Sequence, residues 1–234
     1  MNSTEKISTD ADYADILEKA GKEDFSFVNF YRTRQAIESY LESGSAPDWT
    51  RKIKLAVIGS HTLDPLTVCL DITVRLEGLD PEVFQGEFNL YHQEILDPDS
   101  RLYQFQPEVT ILSLDPRNCL GDSFFHSPGQ TEKSPLQQSD EFFEELARLI
   151  ESYLEHASSS AMLVGNLPVP LHSPHGILSD RTSDDPKILI RELNRMLGEE
   201  FRDNPRVFIV DIDECLAEYG KERAFDPRLE YMAG

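Results

Sequence analysis

Short runs of apolar residues punctuate the chain, and between them the apolar positions recur at helical spacing. Ile53 to Ile58 is nearly continuous in its apolarity, the pattern of a strand buried on both faces. Leu63 to Glu77 has helical spacing and closes at Gly78. Pro81 to Phe88 reads as a weaker second strand and Val109 to Leu114 as a third. Asp140 to His156 is a long amphipathic helix with Phe142, Phe143, Leu146, Leu149, Ile150 and Leu154 on its apolar face. Ser160 to Val164 is a fourth strand, Asp185 to Phe201 a further helix, and Val207 to Val210 a fifth strand. Strands separated by helices predict an α/β fold: parallel βαβ units in a three-layer α/β/α sandwich around a five-stranded sheet. Ahead of this core, Ala11 to Ala20 and Asn29 to Leu41 have helical spacing, and Gly44-Ser45-Ala46-Pro47 ends the second helix. Residues 1–50 thus read as a helical N-terminal extension and 51–234 as the α/β/α domain.

Composition narrows the partners. The chain has 234 residues, 39% of them apolar, which suffices for one α/β core. Asp and Glu number 43 against 22 Lys and Arg, a net charge of −21. Such a surface repels nucleic-acid phosphates and anionic lipid heads, so neither is expected as a partner. The N-terminal stretch has no apolar core for a signal peptide, and no run approaches the ~18 uncharged apolar residues of a membrane span. Cys69, Cys119 and Cys215 are odd in number, far apart and in no CxxC pair, so they read as apolar fillers in a reducing, cytoplasmic setting. No metal set and no cofactor motif is expected.

In an open parallel sheet, ligands bind beyond the C-terminal ends of the strands. That rule selects Gly59, Ser60, His61 and Thr62 after the first strand, Asp115, Arg117 and Asn118 after the third, and Asn166 with the 167–184 loop, including His172 and His175, after the fourth. Asp211 and Asp213 follow the fifth. An apolar strand ending in Asp-x-Asp is how haloacid-dehalogenase (HAD) type phosphatases present their nucleophile. There the aspartate sits on the first strand, and roughly 100 more residues must complete the magnesium site. Too few follow Asp213 here, and the bland reading is that Asp213 caps a helix beginning at Glu214. Gly121-Asp122-Ser123 matches the Gly-Asp-Ser signature of SGNH (GDSL-type) esterases. It falls in a loop after the third strand rather than after the first, and reads as a chance match.

Three pieces of sequence carry a family resemblance: Leu-Ala-Val-Ile-Gly-Ser-His-Thr-Leu-Asp-Pro-Leu from Leu55 to Leu66, the stretch from Tyr91 to Val109, and Phe-Asp-Pro-Arg-Leu-Glu-Tyr-Met-Ala from Phe225 to Ala233. In this order they resemble the N-terminal domain of FkbH-like proteins over about Arg51 to Ala233. The resemblance implies an SGNH-hydrolase or flavodoxin-like α/β/α domain that, in the family, precedes an HAD-type domain. It further implies a place in polyketide-type biosynthesis, where a glyceryl unit derived from a phosphorylated glycerate moves onto the phosphopantetheine thiol of an acyl carrier protein. The expected partners are then that carrier protein or its tethered glyceryl group, with an HAD-type protein as a separate partner because the sequence ends where the HAD domain would start.

Measured against SGNH hydrolases, Ser60 occupies the nucleophile region, in Gly-Ser-His-Thr rather than Gly-Asp-Ser-x-Thr. The asparagine donor block is out of register at Asp115-Pro116-Arg117-Asn118. Where Asp-x-x-His is required the chain has Asp226-Pro227-Arg228-Leu229, and leucine cannot take a proton. The expectation is therefore a binding or docking module with a ligand pocket at Gly59, Ser60, His61, Thr62, Asp115, Arg117 and Asn166. A divergent hydrolase or acyltransferase using Ser60 is the alternative. The bland readings are Ser60 and Thr62 as caps of the 63–77 helix, Asn166 as a strand-end turn residue, and His172 and His175 as solvated loop residues.

Overall fold

A computed structural model describes residues 9–22, 26–43, 51–121 and 134–224 of the chain. Gly44 to Pro47, Asp122 and Ser123, and the Asp226 and Leu229 pair lie outside these residues. Two helices, α1 (Thr9–Lys22) and α2 (Phe27–Glu42), precede the central strand β1 (Arg51–Gly59). The chain continues through α3 (Asp64–Leu76), β2 (Leu79–Gln85), the short α4 (Tyr91–Leu96) and α5 (Arg101–Phe105), β3 (Val109–Ser113) and α6 (Pro116–Leu120). After these come α7 (Pro135–His156), β4 (Ala161–Gly165), a 3-10 turn (Gly176–Arg181), α8 (Pro186–Glu200), β5 (Val207–Val210), α9 (Ile212–Tyr219) and α10 (Lys221–Ala224).

The five strands form one sheet in the order β2-β1-β3-β4-β5, every pair parallel. This is the flavodoxin-like strand order. The α/β/α expectation and its five strands are what the structure shows. β1 lies between two neighbours, and its last five residues are all buried, which is why its sequence is an unbroken apolar run. Ala56, Ile58, Leu112, Met162, Val164 and Val207 share one core with α4, α5, α7 and α8. Alternation along the strand sends Leu55 and Val57 to the other face. There α3 carries the N-terminal helices: Tyr13, Ala20, Phe30, Ile37 and Tyr40 pack on Val68 and Ile72. Buried Arg75 sits beneath this layer, paired with Asp71 at 3.1 Å and Asp80 at 3.2 Å.

Helix α7 starts five residues earlier than its apolar spacing suggests. Ser134 and Gln137 form a reciprocal capping box, with Pro135 at the first helical position, so polar chemistry rather than periodicity sets the start. Its Tyr153 is fully buried, and its hydroxyl pairs with Thr110 and Ser160 at 2.6 Å each, pinning the helix to β3 and to the start of β4. An open cleft lies at the N-terminal end of the strands, lined by Glu151, Leu154, Glu155, Asn204 and Arg206. There Arg206 donates to the carbonyls of Ala157 and Leu154 at 2.9 Å and so completes the end of α7.

Candidate functional site

β1 and β3 are neighbours, yet β1 is followed by a crossover to one side of the sheet and β3 by a crossover to the other. That divergence opens a crevice at their C-terminal ends. Gly59 pairs with Ser113 in register, and the approach is close: a Cβ on Gly59 would stand 2.0 Å from the Ser113 carbonyl oxygen. Only a residue without a side chain lets the strands finish side by side, and the Ser60 amide then donates to that carbonyl at 3.2 Å.

Ser60 is wholly buried. Its Oγ accepts from the Asp115 amide at 2.8 Å, while Asn118 Nδ2 donates to the Ser60 carbonyl at 2.7 Å. Among the described residues no imidazole bonds to this hydroxyl. It does not cap α3 either: the N-cap is Leu63, with no side-chain bond, and Thr62 points to solvent. The capping expectation for both residues is thus corrected; Ser60 instead staples β1 to the turn after β3. Asp115 accepts from the Arg117 amide at 2.8 Å and caps the one-turn α6, which leaves the Arg117 side chain exposed. Cys119 lies beneath, 3.8 Å from the Tyr91 hydroxyl; burial pushes its thiol up, against hydrogen bonds with Ser60 and Tyr91 that pull the other way.

Above this staple stands a second serine. His61 Nε2 lies 2.9 Å from Ser113 Oγ, and His61 Nδ1 lies 3.1 Å from the Thr62 carbonyl oxygen. Both residues are half-buried. Sequence reasoning singled out His61 but passed over Ser113, the last residue of β3. The signal was the strand order, which alone sets Ser113 beside Gly59.

Asn166 belongs to a different cluster, on the β4/β5 side. It is 8% exposed; its Nδ2 donates to Asp211 at 2.8 Å and its Oδ1 accepts from the Asp213 amide at 3.0 Å. Asp211, not Asp213, caps the following helix, accepting from the Glu214 amide at 2.9 Å, and that helix begins at Ile212 rather than Glu214. Asp213 accepts from the Val169 amide at 2.6 Å and pairs with Lys221, which also reaches the Val169 carbonyl at 3.0 Å. The Asp-x-Asp therefore fastens the 167–184 loop to the C-terminal helices. Farther along that loop, His172 is exposed, but His175 is not the solvated residue expected. Its Nδ1 lies 3.0 Å from fully buried Asp185, which also accepts from Ser173 and from the Lys187 amide and caps α8. Among the described residues no three His, Cys, Asp or Glu side chains converge on a metal position, and no helix is long and apolar enough to cross a membrane.

Solved structures with the same fold include the N-terminal part of BF1531 from Bacteroides fragilis, which contains a phosphatase domain and was crystallised with Mg. It has a TM-score of 0.66 at 16% identity, covering 93% of this chain and 49% of that one. The chain therefore spans about half the length of that structure. The acetyl xylan esterase AlAXEase has a TM-score of 0.48 at 14% identity, covering 74% of this chain and 83% of its own. A GDSL-like lipase from Parabacteroides merdae has a TM-score of 0.48 at 13% identity, covering 76% and 87%. No curated protein matches the sequence. The family model described as FkbH, N-terminal domain matches residues 54–234, so the chain belongs to the FkbH N-terminal domain family.

Proposed function

We propose that this domain serves an FkbH-type system of polyketide-type biosynthesis as a recognition module, docking an acyl carrier protein and its phosphopantetheine-tethered glyceryl group at the C-terminal edge of the sheet. The observation that supports it is the state of Ser60. The residue in the hydrolase nucleophile position is wholly buried and holds the Asp115 amide at 2.8 Å, so Ser60-based esterase chemistry has no reachable oxygen. The same edge presents groups suited to a partner. Ile177 is 98% exposed and Leu178 53% exposed in the turn after β4, with Arg181 in the same turn and Arg117 exposed after β3. Apolar side chains beside arginine are the composition of a docking patch. The arginines also answer the charge problem, since a chain of net charge −21 needs local cations to meet an acidic carrier. The HAD chemistry of the family belongs, in this reading, to another polypeptide segment.

The test is titration of the domain with a phosphopantetheinylated carrier protein, followed by calorimetry. Saturable binding that weakens about tenfold in Ile177→Glu or Arg117→Glu, a loss of ~1.4 kcal/mol, is expected. Binding absent at high micromolar carrier, or unaltered in both variants, removes the proposal.

A further inference from the structure

The geometry points to a nucleophile one strand away from Ser60: Ser113, with His61 as its base and the Thr62 carbonyl as the group that orients the base, forming a site for acyl esters and thioesters. The assignment follows from hydrogen-bond chemistry. A carbonyl oxygen only accepts, so the 3.1 Å contact with Thr62 requires His61 Nδ1 to carry the proton. In the neutral ring Nε2 then holds the lone pair, and at 2.9 Å the only proton available between it and Ser113 Oγ is the hydroxyl's own. Carbonyl, imidazole and hydroxyl are thus arranged as orienter, base and nucleophile, the constellation that activates a serine. A histidine merely packed at a strand end would satisfy one ring nitrogen on backbone and leave the other to water. Here both are directed, one across the β1/β3 gap onto a hydroxyl.

The surroundings fit the same chemistry. The pair stands at the divergence of β1 and β3, where a parallel sheet binds ligands. Ser60, the residue between Gly59 and His61, is locked to Asp115, and the Gly59 contact holds the β3 backbone against β1, so both halves of the pair rest on rigid supports. Ser113 and His61 are half-buried, whereas Ser60 is wholly enclosed, so the former keep part of their surface open to a substrate and the latter does not. In the reaction Ser113 Oγ attacks the acyl carbon while its proton passes to His61 Nε2. The C–S or C–O bond breaks, and the departing thiolate or alkoxide takes that proton. Water then attacks the Ser113 ester, giving its proton to Nε2, and the carboxylic acid leaves as the serine hydroxyl is restored. With a second thiol in place of water the same two steps transfer the acyl group.

The inference stands apart from carrier docking. Two probes test it: hydrolysis of p-nitrophenyl acetate and of an N-acetylcysteamine acetyl thioester by the full chain, and labelling by a fluorophosphonate with the adduct mapped by mass spectrometry. The adduct is expected on Ser113, and turnover is expected to fall about 10²–10⁴-fold in His61→Gln and to background in Ser113→Ala. Ser113→Cys keeps the volume and moves the reactivity to iodoacetamide, with a rate that drops when His61→Gln is added; this arm holds even if Ser113→Ala folds poorly. An adduct on Ser60, or turnover and labelling equal in the native chain and the folded variants, overturns the assignment. Carrier binding without turnover would sink this inference alone, and turnover without carrier binding would sink only the docking proposal.

Discussion

Two junctions at the same edge of the sheet are built from the same kinds of residue and come out differently. At the β4/β5 junction Asn166, Asp211, Asp213 and Lys221 engage one another and the surrounding backbone: two amides, one helix cap and one ammonium are all answered. At the β1/β3 junction Ser60, Asp115 and Asn118 close a similar inner set, but Ser113 and His61 sit above it, half-buried, with a directed proton between them. A polar residue at a strand end is therefore informative only once its partners are known. A closed set is a fastener, while a nucleophile aimed at a base beside open solvent is a reagent.

The largest effect that can break this comparison is at the closed junction. Asn166→Ala removes a donor to Asp211 and the acceptor of the Asp213 amide, at a residue 8% exposed. A loss of about 2–4 kcal/mol is expected, from one bond to a carboxylate and one from a backbone amide, both part-buried. It is read as a lower urea midpoint with an unchanged slope. A variant as stable as the native chain would mean that the junction is not a fastener. The expected magnesium-dependent phosphatase activity is nil both before and after Asp211→Asn, because Asp211 is held by Asn166 and the Glu214 amide.

The two serines sharpen the contrast with a smaller effect. Ser60→Ala strips the acceptor from the Asp115 amide at a wholly buried serine, and about 1–3 kcal/mol of stability is expected to go with it. Ser113→Ala breaks a half-buried bond and is expected to change stability by less than about 1 kcal/mol, its effect falling on ester turnover instead. Thermal unfolding of the two variants, measured beside p-nitrophenyl acetate hydrolysis, separates them; the roles are reversed if Ser60→Ala loses turnover while Ser113→Ala loses stability.

Why the fold was legible and the site only partly so follows from what each depends on. β1, β3 and β4 are apolar runs because neighbours or helices cover both of their faces at least in part, β5 is an apolar run although Phe208 is 51% exposed, and α3, α7 and α8 carry long amphipathic periods, so local pattern suffices. Five- and six-residue helices such as α4, α5 and α6 complete too few turns to show a period. The candidate site failed in another way. Gly59, Ser60 and His61 are selected by following β1, but the significance of each depends on which strand lies alongside. Ser113 ends β3, more than fifty positions downstream, and meets His61 only because the order is β2-β1-β3. Asn166 illustrates the converse: it read as a pocket residue or as a strand-end turn residue, and its two bonds to the Asp211–Asp213 segment became visible only with β5 in place.

The smallest effect concerns a third polar cluster, where the outcome turns on charge rather than on shape. Asp185 caps α8 from a fully buried position. Burial alone pushes its carboxyl up, but hydrogen bonds from Ser173, His175, the Lys187 amide and Ser179 outweigh it and hold the group below its ordinary value. A depressed value means that the folded chain prefers the carboxylate. The stabilisation is therefore complete above the unfolded carboxylate value of about 3.9, and it drains away as the pH falls from there through the lower folded value. Asp185→Asn keeps a side-chain oxygen for the Lys187 amide and asparagine caps helices as well as aspartate does, but an amide nitrogen then stands where Oδ2 meets Ser173 and His175. The pH-dependent part of the loss is the charge at a helix N-terminus, about 0.3–1 kcal/mol at neutral pH, and the missing Oδ2 acceptor adds a cost that persists at low pH. The variant should accordingly lie below the native chain at pH 7, and the gap should narrow by that charge-dependent part as both are titrated below pH ~4. A gap that stays constant across that range would show that Ser173 and His175 hold Asp185 by shape alone, making this cluster a fastener like the β4/β5 junction rather than a charged site.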